Sequence, residues 1–187
     1  MFYSALKKIV RIFPIVIALF FAFSIINFSL AKAPPINESK KTDDPKSMSQ
    51  ETLAYFTNKT RIENNLPALQ DNFDLQSAAQ KKAEDMAEKN YFDHTSPEGK
   101  EFWYWIKQET SRYSFVGENL AINFVDPQET VEAWMDSKLH RENILNSEFQ
   151  EIGIGTAKGE YKSKPAIYVV EIYGKPRGSI LGFIGAE

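Results

Sequence analysis

After the polar segment 32–49, the first pattern of hydrophobic residues has a helical period. Leu53, Phe56 and Ile62 recur at loosely helical intervals after Ser49, which is a suitable N-cap. Pro67 blocks any continuation, because proline lacks the backbone donor and clashes with the preceding turn. The pattern therefore predicts a first helix that begins at Ser49 and stops before Pro67.

A second hydrophobic pattern is more regular and predicts a second helix. Asp71 or Asp74 can supply its N-cap, since a short acidic side chain accepts hydrogen bonds from the first free N–H groups. The apolar residues that follow recur at spacings typical of one helix face. These residues are Leu75, Ala78, Ala79, Ala83 and Met86.

Two further helices are predicted in the middle of the chain. Residues 100–109 form a short segment with aromatic anchors. Asp126 is suited to cap the next helix, in which Pro127 takes the first position and Glu129 can return the capping-box bond. The apolar face of this helix consists of Val131, Trp134 and Met135.

The pattern becomes extended towards the C-terminus. Residues 151–157 and 166–174 are rich in Ile and Val, which favours strands, and residues 159–165 suggest a hairpin connection between them. Helices early and strands late are typical of an α+β fold in which helices cover an antiparallel sheet.

Residues 1–31 have the layout of an export signal rather than of a domain. Three basic residues precede an apolar stretch at 12–26, and Ser29 and Ala31 fit the positions before a cleavage site. The length of the apolar stretch is compatible with a cleaved signal peptide and with a retained membrane anchor. Because the basic end stays in the cytoplasm in both cases, everything after Ala31 is expected to be exported.

Residues 32–49 are polar, contain proline and show no periodicity, so we expect a flexible linker. The whole chain has a net charge of −3. The three bases of residues 1–31 leave 19 basic against 25 acidic residues in the remainder. This acidic balance gives no reason to expect a nucleic-acid partner.

The chain contains no cysteine and two histidines. Disulfides, thiolate metal sites, a cysteine nucleophile and a lipid-modified cysteine are therefore excluded. A small secreted domain from an oxidising eukaryotic compartment usually has disulfides, so an exported chain without cysteine points to a bacterial cell envelope. Any metal site must use His94, His140 and carboxylate or carbonyl oxygens.

Both histidines lie in suggestive motifs, and the ordered set of motifs resembles the CAP superfamily. This superfamily comprises cysteine-rich secretory proteins, antigen 5 and pathogenesis-related 1 proteins, and its domain is also called the SCP domain. The resemblance covers about residues 50–175, leaves residues 176–187 as a tail, and is greatest to the cysteine-free bacterial branch. The motifs are NKTR at 58–61, NLPAL at 65–69, the apolar helix at 75–86, DHTSPEG at 93–99, GEN at 117–119, WMDSKLHRENIL at 134–145 and EIGIG at 151–155.

The resemblance implies an α-β-α sandwich with a cleft lined by a tetrad of His and Glu residues. Three members of the tetrad fall on His94, Glu118 and His140. The fourth position falls on Ser137, so the tetrad is incomplete. Asp136 is adjacent, but neighbouring helical positions point about 100° apart.

Two imidazoles and a carboxylate are suited to bind Zn²⁺ or another divalent metal. With His94 and His140 as metal ligands and Glu118 as general base, the alternative function is a metal-dependent extracellular hydrolase of the protease or nuclease type. The favoured function is a binding or interaction module for a lipid, peptide or protein of the envelope, because the tetrad is incomplete and no protease or nuclease signature is present. A serine triad using Ser96 or Ser137 lacks a nucleophile elbow and is disfavoured.

The remaining conspicuous side chains have structural interpretations. Trp103, Tyr104, Trp105 and Trp134 are predicted to pack in the core, and an apolar groove for lipid or peptide is the alternative. Asn58 and Arg61 lie one helical turn apart and are predicted to hold structure through hydrogen bonds.

Overall fold

A four-stranded sheet with helices on both faces makes up the described part of the chain. The computed structural model describes residues 48–178. The predicted leader, all but the last two residues of the predicted linker, and the tail from residue 179 lie outside the described residues. The described helices are α1 (Gln50–Glu63), α2 (Phe73–Lys89), α3 (Trp103–Glu109), α4 (Pro127–Asp136) and α5 (Lys138–Ile144). The strands are β1 (Gln70–Asp71), β2 (Tyr113–Ile122), β3 (Glu151–Tyr161) and β4 (Lys164–Pro176).

The sheet is mixed and has the strand order β1-β3-β4-β2. β4 pairs antiparallel with both β2 and β3, in agreement with the predicted hairpin. β1 pairs parallel with β3, so the prediction of a purely antiparallel sheet is wrong at this edge. The two residues of β1 are too few to show an alternating pattern, and they carry the chain past the sheet edge as it passes from α1 to α2.

The helices form two layers, one on each face of the sheet, which confirms the predicted α-β-α sandwich. α2 and α3 cover one face, with a core that includes Leu75, Ala79, Met86, Ile106, Val170 and Ile172. α1, α4 and α5 cover the other face, with a core that includes Leu53, Val131, Trp134, Ile144, Phe149 and Tyr173. None of the helices within residues 48–178 is both long and apolar enough to cross a membrane.

The predicted helix starts are confirmed for α1 and α4 and corrected for α2. Ser49 caps α1, and Asp126 caps α4 with Pro127 following it. The cap of α2 is Asn72, whose side chain accepts from the backbone N–H groups of Asp74 and Leu75, and neither predicted aspartate has this role. Asp71 is unavailable because it belongs to β1 and pairs with Ile152.

The connection between β3 and β4 is much tighter than predicted. Pairing continues to Tyr161 and Lys164, so Lys162 and Ser163 alone form the turn. Both turn residues have positive φ angles, of 51° and 63°, as a type I′ turn requires. Most of the residues predicted as the hairpin connection are therefore part of the sheet.

Two glycines of the EIGIG segment bring α2 directly onto β3. A Cβ atom added at Gly155 would lie 2.3 Å from the carbonyl carbon of Ala79, and one at Gly153 would lie 2.2 Å from the backbone nitrogen of Gln76. The helix backbone thus occupies the space in which side chains of β3 would otherwise stand. This close packing fixes α2, and with it the loop that carries His94.

Candidate functional site

The three predicted site residues surround the edge strand β2. His94 lies in the loop after α2, Glu118 lies in β2, and His140 lies in α5. β2 is the terminal strand of the sheet, and side chains of α4 and α5 donate hydrogen bonds to its backbone carbonyls. Asn143 donates to the carbonyl of Glu118 at 3.0 Å, and Trp134 Nε1 donates to the carbonyl of Leu120 at 2.9 Å. We call the region around His94, Glu118 and His140 the β2 cleft.

His94 and Glu118 form a direct side-chain pair. Their Nδ1 and Oε1 atoms are 2.7 Å apart, and the side chains of His94 and Glu118 are 53% and 1% exposed. The hydrogen bond to Glu118 raises the pKa of His94. Burial raises the pKa of Glu118, while His94 and Lys82 act in the opposite direction. The pair thus consists of a buried carboxyl group that orients a half-exposed imidazole.

The second oxygen of this carboxylate is unusual. Glu118 Oε2 is buried and has no hydrogen-bond partner among the residues that the structure describes. An unsatisfied buried acceptor lowers the free energy of unfolding by about 1–3 kcal/mol, so this oxygen destabilises the folded chain slightly. Among the described residues, the Glu118 side chain therefore has one hydrogen bond, between Oε1 and Nδ1 of His94.

Lys82 holds the loop that carries His94, and the sequence interpretation missed this residue. Its Nζ atom donates to the carbonyls of Asp93 and His94, at 2.9 and 3.1 Å. The ammonium group is fully buried and lies 4.4 Å from the ring centroid of Trp105. Burial lowers the pKa of Lys82, and the charge of Glu118 counteracts this. The signal that could have revealed it is a lysine on the apolar face of α2, one position before Ala83.

His140 is joined to β2 through the Asn residues of the two motifs. Asn119 Nδ2 donates to the carbonyl of His140 at 3.1 Å, and Asn143 Nδ2 donates to Asn119 Oδ1 at 2.9 Å. Burial lowers the pKa of the half-buried His140, and the charge of His94 lowers it further. The two imidazoles are therefore within electrostatic reach of each other, and backbone contacts hold α5 against the edge strand.

Each residue of the Gly-Glu-Asn motif has a separate role because side chains alternate along a strand. Glu118 points towards His94, and Asn119 points towards α5. Gly117 leaves room for α5 and its flanking loop, since an added Cβ would lie 2.8 Å from the ring of Phe149 and 2.9 Å from Asn143 Oδ1. The motif thus connects the two helical layers at one point of the sheet edge.

Arg61 and Asn58 have the structural role predicted for them. Arg61 is fully buried and donates to the backbone carbonyls of Pro67, Ile144 and Asn146 at 2.7–3.0 Å. Asn58 exchanges two hydrogen bonds with the backbone of Leu69. Arg61 thereby ties the end of α5 to α1, which supports the helix that carries His140.

Comparison with known proteins identifies the family. The family model named CAP, the cysteine-rich secretory protein family, matches residues 54–173. The chain belongs to the CAP family. It is 36% identical over 149 residues to the uncharacterized protein YkwD of Bacillus subtilis, covering 78% of this chain and 56% of YkwD. It is 29% identical over 128 residues to the uncharacterized membrane protein YlbC of the same organism, covering 68% of this chain and 37% of YlbC.

Solved CAP structures have the same fold. An extracellular protein of Bacillus anthracis that contains an SCP domain superimposes with a TM-score of 0.59 at 25% identity, over 67% of this chain and 40% of that one. An outer surface protein of Borrelia burgdorferi gives a TM-score of 0.58 at 24% identity, over 68% of this chain and 92% of that one. The chain spans little more than half of YkwD and less than half of YlbC and of the anthracis protein. The predicted resemblance to the cysteine-free bacterial branch is confirmed.

At the fourth tetrad position this CAP chain has Ser137, which lies between α4 and α5. Its side chain does not cap α5, and its backbone N–H donates to the carbonyl of Trp134. Asp136 is exposed on the preceding turn. Within residues 48–178 no group of three or more His, Asp or Glu residues is placed to hold a metal ion.

The aromatic residues divide into two groups, where core packing was predicted for all four. Trp105 and Trp134 are buried in the two cores, as predicted. Trp103 and Tyr104 are 41% and 37% exposed, so the prediction is wrong for them. The reason is that the seven-residue helix α3 buries one face only, at Trp105 and Ile106. Ser96 is unsuited to a serine triad, because its hydroxyl is buried and bonded to Glu98 at 2.9 Å.

Proposed function

We propose that this CAP protein is exported and acts as a binding or interaction module of the bacterial cell envelope, with its ligand held in the β2 cleft. The layout of residues 1–31 supports export, with these residues either removed as a signal peptide or retained as a membrane anchor. Two similar proteins, an extracellular protein with an SCP domain and a membrane protein, support a location outside the cytoplasm. The ligand is a lipid, peptide or protein of the envelope.

The observation that carries this proposal is the pairing of His94 with the buried Glu118. The carboxylate at 2.7 Å from Nδ1 fixes the tautomer and the orientation of the ring, which leaves Nε2 without a hydrogen bond among the described residues. Across the cleft, the lowered pKa of His140 keeps that imidazole neutral at neutral pH. One oriented and one neutral imidazole offer a ligand preorganised hydrogen-bonding groups, and preorganisation reduces the entropic cost of binding.

The two histidines allow a direct test of where a ligand binds. With two histidines in the chain, the ring signals in a ¹H–¹³C NMR spectrum of residues 32–187 report on the β2 cleft alone. Vesicles of phosphatidylglycerol and a panel of synthetic peptides are the probes. A probe bound in the cleft shifts both signals, and His94→Gln with His140→Gln abolishes its binding. Binding that survives the double substitution would place the ligand elsewhere and overturn the proposal.

Metal binding in the cleft stays a prediction, and the donor set defines its form. Two imidazoles with no third carboxylate or imidazole among the described residues fit a divalent ion that keeps several water ligands. They do not fit a tightly held structural zinc. Glu118 would act on such an ion indirectly, through the orientation of His94.

We expect Zn²⁺ to bind residues 32–187 with one ion per chain and to require both His94 and His140. Because Glu118 orients His94, Glu118→Gln is expected to weaken the affinity about tenfold or more. Isothermal titration calorimetry measures the affinity. Glu142→Gln, an exposed carboxylate on the same helix as His140, is the matched control and leaves it unchanged. If wild type binds no better than the double histidine variant, the metal prediction is wrong.

The alternative function, an extracellular hydrolase, is favoured by one feature. A buried carboxylate bonded to Nδ1 of a half-exposed histidine is the arrangement that makes Nε2 a general base. Because Glu118 is 1% exposed, it would orient His94, and His94 would accept the proton from an attacking water. This gives His94 the general-base role that the sequence predicted for Glu118, and the same Nε2 atom would then not bind the metal of the predicted metal-dependent hydrolase.

A panel of peptide and polynucleotide substrates distinguishes the hydrolase from the binding module. A hydrolase of this kind loses turnover with His94→Gln and with Glu118→Gln, while the Glu142→Gln control keeps it. Turnover that is equal in wild type and in His94→Gln would eliminate the hydrolase. Binding without any turnover supports the binding module.

A further inference from the structure

A second buried carboxyl group lies behind the β2 cleft, on the opposite side of the sheet from His94. Glu171 in β4 is fully buried, and its carboxylate accepts hydrogen bonds from Thr57 of α1 and from the hydroxyl of Tyr173. Thr57 Oγ1 lies 3.0 and 3.1 Å from the two carboxylate oxygens. This glutamate interrupts the apolar sequence VVEIY and joins β4 to α1 through Thr57.

The hydrogen bonds continue from Glu171 to the backbone of the cleft. Tyr173 accepts from Asn119 Nδ2 at 3.0 Å, and the same amide group donates to the carbonyl of His140 at 3.1 Å. Glu171 and Asn119 are register partners across β4 and β2, so their side chains stand on the same face. A continuous buried chain therefore runs from Thr57, through the two strands, to the helix that carries His140.

The chain can hold Glu171 in either protonation state. As a carboxylate, Glu171 uses Thr57 and Tyr173 as its two donors, and Tyr173 then accepts from Asn119. As an acid, its own O–H can donate to Thr57 Oγ1, which is an acceptor as well as a donor. The hydrogen bond from the Tyr173 hydroxyl to Glu171 therefore differs in strength between the two states. The hydrogen bond that this hydroxyl accepts from Asn119 changes with it.

Few other charges act at this point. On β4 itself Tyr173 is the titratable neighbour, and its pKa lies well above the usual value because of burial. From α1, Thr57 is neutral, and Arg61 acts on Tyr173 while donating to backbone carbonyls. The register partners of Glu171 on β2 and β3 are Asn119 and Ile154, which do not titrate. From α5, Asn143 contacts Asn119, and His140, whose carbonyl accepts from Asn119, is the residue that titrates.

We propose that Glu171 and Tyr173 are positioning residues of the β2 cleft, and that gain or loss of a proton by Glu171 shifts the backbone of His140 relative to Glu118 through Tyr173 and Asn119. The proton is exchanged with bulk solvent. Burial raises the pKa of Glu171 to about 7, so both states are populated near neutral pH. The proposal rests on the proposed function only in taking the β2 cleft as the ligand site.

The test follows the side-chain amide signals of Asn119 and Asn143 and the backbone amide of Arg141 by ¹⁵N NMR of the full chain from pH 5 to 9. All variants carry His94→Gln and His140→Gln, which remove the two cleft imidazoles that titrate in the same range and keep the backbone carbonyl of residue 140 that Asn119 contacts. A shared inflection near pH 7 is expected. It is lost in Glu171→Gln, and in Tyr173→Phe it no longer reaches Asn119 and Arg141.

Two further variants keep the test decisive. Tyr168→Phe, which removes the hydroxyl of another buried tyrosine of β4 bonded to Glu160, is the matched control and retains the inflection. Thr57→Val removes a donor to the carboxylate, so the inflection should move to higher pH. An inflection that persists in Glu171→Gln, or flat signals in the parent that carries both histidine substitutions, would overturn the proposal.

The amide signals need no ligand, so they separate this inference from the proposed function. Zn²⁺ titrations at pH 6 and pH 8 of the wild-type chain form the second arm. An inflection without binding of Zn²⁺, vesicles or peptides supports the positioning role and counts against the proposed function. Binding in the cleft without the inflection would overturn the positioning role and support the proposed function.

Discussion

Between pH 5 and pH 9 the wild-type protein is expected to lose about 2–3 kcal/mol more of its free energy of unfolding than Glu171→Gln loses. Burial raises the pKa of Glu171 from 4.5 to about 7 in the folded state. Below pH 4.5 both the folded and the unfolded chain hold this proton. Between 4.5 and about 7 only the folded chain holds it, so stability falls as the pH rises through this window. The pKa difference corresponds to about 3 kcal/mol.

Urea denaturation at pH 5, 7 and 9, followed by circular dichroism, measures this difference. Glu171→Gln resembles the protonated acid in shape and hydrogen bonding, so it should be close to wild type at pH 5 and clearly more stable at pH 9. Glu63→Gln, which changes an exposed glutamate of α1, should follow wild type at every pH. Parallel curves for wild type and Glu171→Gln would mean that the buried carboxyl group does not change its pKa on folding.

Gly155→Ala is expected to lower the free energy of unfolding by about 3 kcal/mol or more, which is the upper part of the usual range for overpacking. The new Cβ would lie 2.3 Å from the carbonyl carbon of Ala79 and from the nitrogen of Gln80. These are backbone atoms of α2, so no rotation of a side chain relieves the overlap. The helix must move away from β3, and the packing of Leu75 and Ala79 in the core is lost with it.

Chemical denaturation at one pH measures the effect, and the same strand supplies the control. At Gly159 an added Cβ would lie 2.9 Å from the Cβ of Ala87, near the end of α2, so Gly159→Ala should cost clearly less. Removing the methyl group of Ala79 should not rescue Gly155→Ala, because the overlap involves the backbone. A normal unfolding midpoint for Gly155→Ala would contradict the close approach of α2 to β3.

The local signals that the sequence carries were sufficient for most helices and for the hairpin. Ser49 and Asp126 cap their helices as predicted, because a cap depends on a few neighbouring residues. The cap of α2 is Asn72, whereas Asp71 or Asp74 was predicted, and the pairing that removes Asp71 from this role is a contact with the distant Ile152. The parallel pairing of β1 escaped prediction for the same reason.

The candidate site was predictable as a set of residues but not as an arrangement. The motifs named His94, Glu118 and His140, and the structure adds that Glu118 is committed to Nδ1 of His94. The supporting residues Lys82, Asn143 and Tyr173 belong to segments that read as ordinary helix and strand. Their roles arise because an ammonium, an amide and a hydroxyl group in the interior must find partners, and the fold decides which partners are near.

The sequence by itself determined four of the helices, the hairpin of β3 and β4, the absence of cysteine chemistry, the family and the three residues of the candidate site. These features depend on residue identity and on short spacings along the chain. The tertiary structure alone decided which imidazole the carboxylate of Glu118 orients, how Lys82 and the Asn residues hold the two histidine segments, and that Glu171 lies buried behind them. Burial and hydrogen-bond partners are set by segments far apart in sequence, so no local pattern contains them.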